Sequence, residues 1–273
     1  MTNGNFGVSI LDEFAGSWAV VAGGSDGTGA AFARALAAAG MNLLLIARRA
    51  APLDTLAAAI RENHAVEVRT ASVDLSESDA GRRVIDLADG LEVSLFVSNA
   101  GSDPYGSAFL KAPISDWSSM VRRNIDALVE PSYAFAEQMV SRGRGAIIVM
   151  SSGAALGGQP GGAIYSGTKA FGLNFAESLY SELKPLGVHV LCAVCAAMNT
   201  PSLNQLLGKR GLSIPDLDEP DAVVSTLLDY LGRGPSYIFP FAGNDELVRK
   251  LQRQRQERLI QMEHVSKAFY NEI

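Results

Sequence analysis

Apolar residues follow two rhythms along the chain. Short continuous runs, at Trp18–Ala22, Asn42–Ala47, Val66–Val73, Val93–Val97, Ala146–Met150, His189–Val194 and Tyr237–Phe239, have the length and flanking turn residues of buried strands. Between them, apolar residues recur at three- and four-residue spacing. This pattern predicts helices from Thr28 or Gly29 to Ala39, Pro52 to Asn63, Ser78 to Asp89, Pro113 to Val140, Tyr165 to Leu183 and Glu219 to Leu231. Gly40 stops the first, Pro52 suits the first turn of the second, and Pro131 predicts a kink in the long fourth. Residues 198–218 read as a mixed loop with part of it helical. Strands alternating with helices predict an α/β fold, a doubly wound parallel sheet of about seven strands covered on both faces. No linker, repeat or low-complexity tract divides the 273 residues, so a single domain is expected.

The tail from Asp245 to Tyr270 carries Leu247, Leu251, Leu259, Met262, Val265 and Phe269 mostly at helical spacing, with Arg249, Lys250, Arg253 and Arg255 among them. Such a C-terminal helix serves as a dimer arm, as a lid over a pocket, or simply as a surface helix packed on its own domain.

Composition narrows the classes. A formal charge of −6 argues against a general nucleic-acid surface, and 48% apolar residues supply a sizeable core. No apolar run reaches the ~18 residues of a membrane span. The first residues lack a basic start and an apolar stretch, so no secretory signal is expected and the cytosol is the default compartment. Two cysteines make no disulfide framework. Cys192 and Cys195 have redox-motif spacing, but on a buried strand residues three apart face opposite ways, which favours a structural reading. His64, His189 and His264 are scattered, so no metal site is expected.

Candidate chemistry concentrates in Ser151–Ala170. Two serines and a glycine-rich loop lead into a helix on which Lys169 follows Tyr165 by four residues, one turn along the same face. A cation there predicts a phenol pKa drawn below about 10, toward a general acid/base for a carbonyl or alcohol. A second element is the turn after the first strand, where Gly23, Gly27 and Gly29 permit a tight turn ahead of a helix N-terminus able to hold a pyrophosphate.

Together these stretches resemble the short-chain dehydrogenase/reductases. Ala22-Gly-Gly-Ser-Asp-Gly-Thr-Gly29 is similar to the family's T-G-x-x-x-G-x-G, Ser98-Asn-Ala-Gly101 to its N-N-A-G, and Tyr165 to Lys169 to its Y-x-x-x-K. Asn124 matches the family's helical asparagine, and Ser152, thirteen residues before the tyrosine, its catalytic serine in preference to Ser151. The resemblance covers about residues 15–242, and its wording is nearest the hydroxysteroid and 3-oxoacyl reductase branch. It implies a Rossmann-like domain, homodimers or homotetramers built on the long helices, and an oxidoreductase acting on a small-molecule carbonyl or alcohol. Asn124, Ser152, Tyr165 and Lys169 would be catalytic. The cofactor would lie against Gly23, Ser25, Asp26, Gly27, Thr28 and Gly29, then Arg48, Asp74, Leu75, Asn99, Ala100, Gly101, Tyr165, Lys169 and Thr200.

At the end of strand two the family's NAD-selecting carboxylate is replaced by Ala47, and Arg48 follows. A guanidinium suits a 2′-phosphate, so NADP(H) is expected over NAD(H). The alternative is that Arg48 and Arg49 are merely solvated. Two departures stand out. Ala22 replaces a threonine whose hydroxyl braces the loop, and Cys195-Ala196 occupies the place of a P-G turn that lies against the nicotinamide. Leu156, Leu203, Leu206, Leu207, Leu212 and Ile214 point to a hydrophobic substrate, or simply pack their loop down. The competing function is a non-catalytic NADP(H)-binding redox sensor on the same fold.

Overall fold

The computed structural model describes residues 10–241 and 244–269. The extreme ends of the expected lead-in and tail, and the last residue of the expected 15–242 core, lie outside them. In order, the elements are β1 (Trp18–Ala22), α1 (Gly27–Ala38), β2 (Asn42–Ala47), α2 (Ala50–Asn63), β3 (Val68–Ser72), α3 (Ala80–Leu87) and β4 (Val93–Ser98). They continue with α4 (Ile114–Val121), α5 (Ala127–Arg142), β5 (Gly145–Ser152), α6 (Ala163–Leu183) and β6 (Val188–Cys195). The last are α7 (Pro201–Arg210), α8 (Pro220–Tyr230), β7 (Ser236–Ile238) and α9 (Asp245–Phe269).

The described strands form one parallel sheet in the order β3-β2-β1-β4-β5-β6-β7. Every residue of β1 and β4 is buried, which is why these strands read as unbroken apolar runs instead of alternating ones. Side chains divide between two cores. Ala19 and Val21 join Phe32, Leu36 and Leu227 on one face, while Val20 and Ala22 join Phe96, Phe135 and Leu173 on the other. Cys195 belongs to the first core and Cys192 to the second, so the two thiols lie on opposite faces of β6. β1 pairs with both β2 and β4, so the direction of winding reverses between β1 and β4. Such a reversal opens a crevice at the carboxyl ends of the strands.

Several boundaries differ from the sequence reading. β3 is shorter because its ladder with β2 runs only from Leu43↔Val68 to Ala47↔Ser72. The expected helix Ser78–Asp89 loses a turn of residues at its ends. The long helix breaks at a π turn, Arg122–Asp126, in which the Ala127 amide reaches the Arg122 carbonyl, and not at Pro131. The carbonyl that Pro131 leaves without a donor is that of Ala127, the first residue of α5, where bonding is already rearranged by the π turn. The mixed loop contains α7, with Thr200 as its N-cap and Pro201 at its first position.

The tail helix docks on its own domain. Arg255 forms a two-pronged pair with Glu177 of α6, Nε to Oε1 at 2.8 Å and Nη2 to Oε2 at 2.7 Å. Gln252 accepts from the Ile238 amide at 3.1 Å, and Val248 is buried. No described helix is long and apolar enough to cross a membrane.

Candidate active site

The strand ends open into one cleft of about 1510 Å³. Its first wall is the turn between β1 and α1. Gly23 and Gly27 have positive φ, and a Cβ added at Gly29 would collide with the Gly23 carbonyl, so the turn closes only with glycine there. The bracing hydroxyl lost at Ala22 is replaced by other contacts. Asn99 Nδ2 donates to the Gly23 carbonyl at 2.8 Å, while the Asn99 and Ala100 amides donate to the Ala22 carbonyl. Gly23, Ser25, Asp26, Gly27 and Thr28 line the cleft, and Gly29 sits behind them as packing.

Arg48, Asp74 and Leu75 line the far end, with Arg48 Nη1 3.9 Å from Asp74 Oδ2. Arg49 pairs with Asp26 on the glycine turn. Burial pushes the Asp74 carboxyl up, yet hydrogen bonds from Ser76 and then the charges of Arg48 and Arg123 carry it below its ordinary value.

Asn99, Ala100 and Gly101 form the floor, and Ser152, Tyr165 and Lys169 the near end. Ser151 and Ser152 close β5 and face opposite ways. Ser151 Oγ donates to the Lys169 carbonyl at 3.0 Å, a brace between strand and helix, while Ser152 lies within hydrogen-bonding reach of the Tyr165 phenol. Lys169 Nζ lies 5.8 Å from the centre of the Tyr165 ring and donates to the Met150 carbonyl at 2.8 Å. A Cβ at Gly101, whose φ is +150°, would stand 2.7 Å from that ammonium.

The expected lowering of the phenol pKa does not occur. Burial holds Tyr165 above its ordinary value, and the Ser152 hydrogen bond draws it only part of the way back. Burial also brings Lys169 down to about 8, which weakens the cation meant to act on the phenol. Asn124 lies behind the cleft. Its Nδ2 donates to Thr168 Oγ1 at 2.9 Å, and its buried Oδ1 has no hydrogen-bond partner among the described residues.

The Cys195-Ala196 turn is held without the P-G. Cys195 pairs in register with Ser152, so both strands end together at the cleft. Met198 then bridges to Asp218, and its sulfur accepts from Thr28 Oγ1 at 3.5 Å. Thr200 caps α7 through its hydroxyl and turns its methyl toward Gly27. Burial pushes the Cys195 thiol up to about 12, which leaves it protonated and inert.

Of the six apolar residues expected around a substrate, Leu203, Leu206 and Ile214 line the cleft, whereas Leu156, Leu207 and Leu212 do not. Leu156 instead packs against the core, and Leu212 projects to solvent. Leu217 and Phe241 line it unforeseen, as do Arg123 and Asp103. Single polar positions in a helix or loop carry no periodic signal that would have singled them out.

With this geometry in view, the sequence profile described as short chain dehydrogenase matches residues 17–210. The chain belongs to that family. The fold expected from its motifs holds. It is 35% identical over 230 residues to a very-long-chain 3-oxoacyl-CoA reductase of Aspergillus clavatus, covering 82% of this chain and 65% of that protein. The chain thus spans somewhat less than two thirds of that relative's length. A solved structure described as a 7beta-hydroxysteroid dehydrogenase superposes with a TM-score of 0.80 at 27% identity, covering 88% of this chain and 93% of that one. A short-chain dehydrogenase from Sphingobium yanoikuyae in complex with NADPH gives 0.77 at 28%, covering 89% and 94%.

Proposed function

We propose that this protein reduces a ketone on a large, apolar substrate with NADPH, and that Tyr165 delivers the proton. The observation that carries the reading is the convergence of Ser152, Tyr165 and Lys169 on the cleft that the glycine turn also opens into. The residues present fit a dinucleotide: a tight glycine turn at the start of α1, and a lysine and a glycine floor beyond it. When bound, the reduced nicotinamide supplies a hydride to the carbonyl carbon.

Ser152 Oγ donates to the carbonyl oxygen and fixes it beside the phenol. Tyr165 Oη transfers its proton to that oxygen as negative charge grows there. A phenol held above its ordinary pKa keeps this proton at neutral pH, the form that reduction requires. Lys169 Nζ lies behind the phenol to help return a proton to it. The unpartnered Asn124 Oδ1 offers an acceptor for a water on that route.

Arg48 supports NADP(H) over NAD(H), as does the NADPH complex of the Sphingobium relative. Leu203, Leu206, Ile214, Leu217 and Phe241 support an apolar substrate, in line with the 3-oxoacyl-CoA and hydroxysteroid names of the relatives. The test is NADPH consumption across 3-oxoacyl thioesters, oxosteroids and bulky ketones, with Tyr165→Phe as control. Turnover that Y165F abolishes is the expected result. NADPH binding without turnover of any carbonyl would replace this reading with a non-catalytic binder.

A further inference from the structure

Two adjacent arginines on the π turn reach in different directions. Arg122 Nε donates to the Ser76 carbonyl at 2.6 Å, and Ser76 in turn grips Asp74 Oδ1 through its amide at 3.0 Å and its hydroxyl at 2.6 Å. The π turn is thereby fastened to the segment that follows β3. Arg123 Nη2 donates to the Ser102 carbonyl at 2.9 Å, in the loop after β4. Its Nε is buried and has no hydrogen-bond partner among the described residues. Arg123 lines the cleft together with Arg48, and its charge acts on Asp74 as well as on Tyr105 and Asp103.

The balance of charge at this end decides what can bind there. Asp74 is an ionised carboxylate and repels a phosphate. Arg48 is the nearer cation, but its side chain is 72% exposed, so water and salt screen its charge. Arg123 is more enclosed, and its charge acts through a lower local dielectric. Arg48 alone thus leaves the carboxylate's field incompletely offset, and Arg123, which also faces Asp103, adds positive charge against it.

We propose that Arg123 is a second specificity-determining residue for the 2′-phosphate of the cofactor, acting across the cleft from Arg48 by cancelling the field of Asp74. This rests on the NADP(H) reading above and extends it to a residue of the π turn. Recognition is then shared between an exposed arginine that touches the phosphate and an enclosed one that sets the potential around it.

The test uses binding of adenosine fragments to the intact protein, followed by calorimetry or intrinsic fluorescence, so that no turnover is needed. Wild type should bind 2′,5′-ADP more tightly than 5′-AMP; the absence of any preference would overturn the NADP(H) reading itself. Given that preference, Arg123→Met should weaken 2′,5′-ADP about tenfold while changing 5′-AMP by less than about threefold. Arg123→Lys, which keeps the charge, should recover most of the loss. The loss in Arg123→Met should be smaller at high salt, because the interaction acts at a distance. Equal weakening of both nucleotides, or a lysine variant as poor as methionine, would show a merely structural part for Arg123 and sink the proposal. If R123M unfolds, as judged by circular dichroism, Arg123→Gln takes its place with the same two nucleotides: a selective loss of 2′,5′-ADP supports the proposal, and equal loss of both overturns it.

Discussion

Lys169 Nζ donates to the main-chain carbonyl of Met150, binding helix α6 to strand β5 beneath the phenol of Tyr165. The ammonium is enclosed, and burial lowers its pKa from an ordinary 10.5 to about 8. Between these values the unfolded chain holds a proton that the folded chain has released. Stability from this residue therefore rises with pH across that window and is least below pH 8. Lys169→Met should melt above wild type at pH 7, by about 2 kcal/mol after allowing for the donor lost to Met150. The advantage should shrink steadily toward pH 10.5. Melts at matched pH values check this, and a gap that does not vary with pH would contradict it.

With Tyr165 as the proposed proton donor, its protonation should shape the pH dependence of each direction differently. Because burial raises its pKa, the phenol stays protonated through neutral pH and reduction should be flat there. Oxidation of the alcohol needs the phenolate and should climb as pH rises toward the phenol's pKa. Tyr165→Phe should cut both directions by at least ~100-fold and leave the dissociation constant for NADPH within a few fold. Steady-state rates in both directions over pH 6–10 are the measurement. An oxidation rate indifferent to pH would speak against Tyr165 as the base.

Gly29 is predicted to tolerate nothing larger. An alanine Cβ would meet the Gly23 carbonyl inside the turn, so Gly29→Ala must push the loop off the start of α1. We expect a loss of more than ~1 kcal/mol in stability and at least a tenfold loss in NADPH affinity. Gly157→Ala, whose added carbon meets nothing, serves as the neutral control in the same assays.

The pair between Glu177 and Arg255 should show strong coupling. Arg255→Met leaves a largely buried carboxylate with Ser236 and no cation, a cost of about 3 kcal/mol. Replacing both residues, as in E177L/R255M, should restore most of that loss. A double mutant as unstable as the sum of the two single changes would mean that the pair does not act as a unit.

The sheet was legible because its central strands, unlike β3 at the edge, are buried on both faces and are separated by turns rich in glycine. The Tyr165 and Lys169 pair was legible from one helical turn of spacing, whereas Ser152 was chosen over Ser151 only through its resemblance to the family's pattern, thirteen residues before the tyrosine. What the residues could not declare was the balance of competing effects. Lys169 implied a low phenol pKa, but enclosure by the same helix and strand outweighs the charge it brings. Pro131 implied a kink, but the π turn upstream had already altered the bonding around Ala127. Arg123 looked like any polar position on a helix because its partners, Ser102 and the Asp74 segment, come from two other strand ends. Three of the six expected apolar residues miss the cleft for separate reasons: Leu156 packs against the core, Leu212 projects to solvent after the end of α7, and Leu207 lies on α7 outside the lining.

The clasp between α6 and α9 ties the two ends of the fold's last third together. Glu177, on the helix that carries Tyr165 and Lys169, is buried in the folded protein and is held by Arg255 of α9 and by Ser236 at the start of β7. The last helix is therefore more than an appendage: it carries the counter-ion for a carboxylate on the same helix as the candidate acid and its lysine.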